Sequence, residues 1–173
     1  MILKQVGMTA LLMMGMGSHG AMAADCAQLP NKMAKVRQHA QVFTQMNAET
    51  QALCWTKHPY FQELDGETCP RYQDNFAMGV ARMDAVLGGI KYATTQLTAM
   101  GAYGAELTRC SAPYMVQKSH LVGQTSQLLK ALQTLGVKAD ECREAHERLG
   151  IWCDKQVALK TMQEIQPAVP VKE

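Results

Sequence analysis

Several things are missing from this 173-residue chain. Strand patterning is absent: no segment alternates apolar and polar residues over a strand's length, which argues against a β-sheet core. Aromatic residues make up only 6% of the chain, which argues against stacking platforms for sugars or single-stranded bases. Clustered basic charge is also missing. Lys4 is the only charged residue among the first 23, so the 17 basic residues fall to 16 beyond it, against 15 acidic ones. A surface so close to neutral does not suit nucleic acid or an acidic membrane as main partner.

The motifs of familiar chemistry are missing too. There is no CxxC, so a thioredoxin-like redox role lacks its dithiol, and no CxxCH to carry covalent haem. No HExxH, GxSxG or glycine-rich phosphate loop occurs. The chain therefore reads as non-enzymatic, with no catalytic residue, metal site or cofactor to name.

What is present begins with a secretory signal over residues 1–23. Lys4 supplies the positive start, Met8 to Met16 an apolar run, and Ala21-Met22-Ala23 small side chains at the −3 and −1 positions. Cleavage is expected after Ala23. The apolar run is about half of the ~20 residues a bilayer crossing needs, and no later segment is long enough, so no membrane insertion is expected after cleavage. Asp25 directly before Cys26 fits poorly with lipidation. The size, the 13 methionines and the plain signal point to a soluble protein of a bacterial periplasm. Residues 24–166 would form one helical domain, and 167–173 a flexible tail.

All six cysteines follow the signal: Cys26, Cys54, Cys69, Cys110, Cys142 and Cys153. An even count in an exported chain reads as three disulfides. Cys142 and Cys153 are separated by roughly 16 Å along one helix, too far to bond to each other. Position along the chain favours Cys54–Cys69 across the first interhelix loop, then Cys26–Cys142 and Cys110–Cys153, with the last two exchangeable. A metal at Cys142, His146 and Cys153 is the alternative, weakened because Cys153 lies two turns beyond His146. A Met33/His146 haem pair would need the two at similar height.

Apolar residues at three-and-four spacing predict helices over 30–57, 70–109, 113–135 and 140–165. Met33, Val36, Ala40, Phe43, Asn47, Thr50 and Cys54 stripe the first. Phe76, Val80, Met83, Leu87, Ile90, Thr94, Leu97, Gly101 and Gly104 stripe the second. The second also holds Gly79, Gly88 and Gly89. Five interior glycines at ~1 kcal/mol each need a reason, either close approach of a neighbour or a break at Gly88-Gly89. Leu121, Thr125, Leu128, Leu132 and Leu135 stripe the third, and Gly136 reads as its stop. Asp140 reads as the N-cap of the fourth, where Cys142, Ala145, Leu149, Trp152 and Leu159 share a face. The expected fold is an all-α, mainly antiparallel four-helix bundle stapled by disulfides.

Two histidines, His39 and His120, read as solvent-facing. Trp55, His58, Tyr60 and Phe61 surround Pro59 in the first interhelix loop. Exposed loop aromatics are a route to partner recognition, although these could equally fold back to cap the bundle end. The segment from Cys69 to Leu87, with Gly79-Val80 and Asp84-Ala85, resembles helical immunity proteins paired with toxins of type VI secretion. That likeness covers fewer than twenty residues and carries no site across.

Three functions follow as expectations. The first is an adaptor that binds another envelope protein, as in a secretion or conjugation system. The second is a periplasmic inhibitor or immunity protein against a secreted hydrolase toxin. The third is a metal or haem carrier. A helical envelope-stress chaperone lacks support, since the LTxxQ repeats of one such family are absent.

Overall fold

Three prolines open three helices. Pro30, Pro70 and Pro113 each lie in a first helical turn, where a missing N–H costs nothing and φ is already set. The computed structural model describes residues 26–54, 64 and 67–165. The expected signal peptide and tail lie outside the described residues. Helix α1 is Leu29–Leu53, α2 is Cys69–Glu106 and α3 is Ala112–Ile165. The described residues contain no strand. No described helix is long and apolar enough to cross a membrane.

The chain runs up, down and up. Going up α2, against its chain direction, Gly104, Gly101, Gly79 and Phe76 meet Val122, Thr125, His146 and Gly150 of α3 in turn, so these two helices are antiparallel. Lys32 lies 4.9 Å from the Tyr103 ring, and His39 lies 6.3 Å from Tyr92. Those contacts set α1 antiparallel to α2, and therefore parallel to α3. The larger interface is between α2 and α3. Its core holds Met83, Ile90, Leu97, Leu121, Leu132 and Leu135. A smaller cluster of Leu64, Cys69, Phe76 and Cys153 closes the upper end.

The expected third and fourth helices are one helix of 54 residues, about 80 Å long at 1.5 Å per residue. Gly136 is an interior residue of this helix, and Asp140 is not a cap. Instead, Asp140 accepts an ion pair at 3.1 Å from Arg143 within the same helix. Arg143 also reaches Glu147 at 3.2 Å and, on α2, Asp84 at 3.8 Å. The hydrogen bond to Asp140 raises its pKa further above its ordinary value. The reason for continuity is the stripe itself. Leu132, Leu135, Ala139, Cys142 and His146 are all buried and hold the three-and-four spacing across the glycine. Packing against α2 therefore outweighs a local stop worth ~1 kcal/mol.

Helix α2 does not break at Gly88-Gly89. Close approach accounts for four of its glycines. A Cβ on Gly79 would fall 2.6 Å from His146 Nδ1. On Gly89 it would fall 3.0 Å from Met46 Sδ, on Gly101 3.2 Å from Thr125 Oγ1, and on Gly104 3.0 Å from Val122 Cγ2. Gly88 faces open space.

The disulfides pair differently from the sequence expectation. They are Cys26–Cys110, Cys54–Cys142 and Cys69–Cys153, with Cα atoms 5.8, 5.3 and 5.2 Å apart. The expected bonds Cys54–Cys69, Cys26–Cys142 and Cys110–Cys153 are absent. Because α3 is continuous, it passes first the end of α1 and then the start of α2. Cys142 meets Cys54 at the first level, and Cys153 meets Cys69 some 16 Å higher. Cys110 ends the short connection before α3, beside the foot of α1, so Cys26 finds it there. Each bond closes a loop with sequence separation 84 or 88, contributing ~4.5 kcal/mol on the chain-entropy account.

Two predictions follow. Gly79→Ala should destabilise by ~1–3 kcal/mol through its clash with the His146 ring, while Gly88→Ala should stabilise by ~0.5–1 kcal/mol through helix propensity. Urea unfolding of both variants checks the opposite signs. Cys69 and Cys153 are both fully buried, whereas Cys54 and Cys110 are half-exposed. Because exchange requires access, native-state reduction followed by alkylation and peptide mapping should label Cys69 and Cys153 last.

Candidate partner-binding faces

The six cysteines and His146 serve the structure. Cys142 and Cys153 are in separate disulfides, so they cannot join His146 around a metal. Among the described residues no group of three metal-ligating side chains exists. His146 is buried, and its Nε2 donates to the Leu53 carbonyl at 2.9 Å. That carbonyl is one of the last four of α1, which the helix leaves unpaired. The imidazole thus caps α1 from α3. It also fixes the height of His146 at the top of α1, ~30 Å above Met33, twenty residues down the same helix. A Met33/His146 haem pair therefore lacks the similar height it would need. His120 is exposed as expected, whereas His39 is half-buried near Tyr92. The loop residues Trp55, His58, Tyr60 and Phe61 lie outside the described residues.

A groove runs along the parallel seam of α1 and α3. Its lower part is a cavity of about 360 Å³ lined by Val36, Arg37, Ala40, Gln127, Leu128 and Ala131. Its middle, about 280 Å³, lies between Phe43, Asn47, Thr134, Leu135 and Lys138. Its upper part, about 710 Å³, reaches the Cys54–Cys142 bond between Thr50, Glu141 and Arg148. No α2 residue lines any of the three. The α1 stripe read from the sequence as core therefore forms a groove wall along much of its length. Ala40 is exposed, and Phe43 and Asn47 are half-buried.

The second face is the upper end of α3. Ile151, Trp152, Leu159 and Met162 are 51%, 38%, 55% and 65% exposed. At 100° per residue they fall within an arc of roughly 100°. His146 and Cys153, both buried, lie opposite that arc. Trp152 and Leu159 continue the spacing of Lys138, Glu141, Ala145 and Arg148, so they extend the line of the groove. The sequence showed Trp152 and Leu159 on a shared face but gave no reason to expect that face in solvent. Their position past the end of α1 exposes them, and that depends on the unequal lengths of the helices. Ile151 and Met162 were not singled out, and a second apolar stripe opposite the first would have been the signal.

Six cysteines locked in pairs and two apolar surfaces left in solvent describe a braced scaffold with faces to fill. Compared with family models, characterised proteins and solved structures, the chain matches none.

Proposed function

We propose that this chain is a non-enzymatic protein-binding module of the periplasm, an adaptor in an envelope assembly such as a secretion or conjugation system. The observation that carries the reading is the exposed apolar arc of Ile151, Trp152, Leu159 and Met162. The exposed Lys155 stands on the same arc, so the surface is apolar with a charge within it. Clustered exposed apolar side chains mark interaction sites, and tryptophan is among the residue types most often dominant in them. Three disulfides with no free cysteine fit an oxidising, extracytoplasmic location. The signal grammar of residues 1–23 supports export through the same envelope. The aromatic loop at Trp55, His58, Tyr60 and Phe61 is a second proposed contact.

The test is affinity capture of the mature protein from its native periplasm under non-reducing conditions. A stoichiometric envelope component is expected. Trp152→Ala with Leu159→Ala should weaken its binding about tenfold or more, ~1.4 kcal/mol, while thermal unfolding stays nearly unchanged because both side chains are exposed. Capture of a single secreted hydrolase instead would establish the inhibitor reading. A Soret band or bound metal in the purified protein would establish the carrier reading.

A further inference from the structure

We propose that the α1–α3 groove seats an amphipathic helix of the partner, with an apolar stripe flanked by carboxylates, lying antiparallel to α1 and α3. This inference rests on the adaptor reading and names the partner's recognition element. In an up-down-up-down bundle the fourth helix lies against the first and third. The groove is that place, left open because α3 continues upward instead of turning back. Its lower and middle parts hold apolar side chains, from Val36 and Leu128 through Ala131 and Phe43 to Leu135, and its upper part is lined mostly by polar ones, Thr50, Gln51, Glu141 and Arg148 among them. From Arg37 to Cys54 it extends ~26 Å, enough for about 17 helical residues.

Charge selects the occupant. Arg37 and Lys138 stand on opposite walls, with Arg148 at the upper end, against a single lining carboxylate, Glu141. Arg148 is held at 3.8 Å by Glu144. Among the described residues neither Arg37 nor Lys138 is in an ion pair. Two uncommitted cations on opposite walls favour a helix with acidic flanks and oppose one with basic flanks. An antiparallel setting also places the helix dipole favourably against two parallel neighbours. Burial of the apolar stripe would supply affinity, and the flanking charges would supply orientation and choice of partner.

The experiment uses the mature, disulfide-bonded protein and two synthetic helical peptides of about 20 residues. Both carry Leu and Ala at three-and-four spacing, one flanked by Glu and the other by Lys. The Glu peptide should bind more tightly, with NMR shift changes confined to Val36–Cys54 and Gln124–Arg148. Arg37→Glu with Lys138→Glu should weaken it at least tenfold and reverse the preference. Equal binding of the two peptides, no binding, or shifts confined to residues 151–162 would overturn the inference. The adaptor reading is judged separately, by the native partner. If Trp152→Ala releases that partner and the doubly charge-reversed variant does not, the adaptor reading stands and the groove assignment falls.

Discussion

Everything in this fold is fastened to one continuous helix. α3 outruns both of its neighbours, and two of the three disulfides tie them to it at levels eleven residues apart. The Cys54–Cys142 bond fixes the top of α1, and the Cys69–Cys153 bond fixes the start of α2 about 16 Å higher. That stagger is the source of the exposed end. Above Cys54 no part of α1 remains to shelter Trp152 or Leu159, and they project into solvent. The length of a single helix thus decides between a closed bundle and an open one.

The two interfaces of α3 are built differently. Against α2, glycines let the backbones come close: Gly79 accepts the His146 ring, and Gly101 and Gly104 accept Thr125 and Val122. Beside these contacts a cavity of about 570 Å³ opens between Thr98, Gly101, Val122 and Thr125. Against α1 the contact is narrower, with the disulfide and the His146–Leu53 hydrogen bond gathered at its top. At its foot, Cys26–Cys110 holds α1 to the connection between the other two helices. α1 is therefore pinned at both ends, with a groove between the pins. Rigid ends fix the width of the groove, which lowers the ordering cost of binding.

Much of this was legible in the sequence. Helical class, proline starts, three disulfides and the buried positions Phe76, Met83, Ile90, Leu97, Leu121 and Leu132 all follow from spacing and composition. The boundary at 136–140 was misread because glycine and aspartate there match local stop and start signals. The stripe that bridges them at Ala139 is a longer-range signal, and it wins because each buried side chain adds to the same interface. The cysteine pairing could not be read from spacing, since it depends on which helices stand side by side and how far each is offset. Phe43 shows the same limit: periodicity places it on the apolar face of α1, but only the packing shows that much of that face opens on a groove. The loop aromatics at Trp55, His58, Tyr60 and Phe61 lie outside the described residues.

The buried polar groups of the described residues serve the helices. Thr50 donates to Met46 O at 2.8 Å, Thr125 to Leu121 O at 2.8 Å, and His146 to Leu53 O at 2.9 Å. All three serve helix carbonyls, so none of these bonds aims a proton or a lone pair at a substrate. An active site instead needs convergent groups facing a cavity, held apart from such structural duties. The groove is lined by Val36, Leu128 and Phe43 below and by Thr50, Gln51, Glu141 and Arg148 above. Three buried polar groups within an otherwise apolar core thus serve the helices, and the proposed recognition would fall to the exposed apolar side chains of α3.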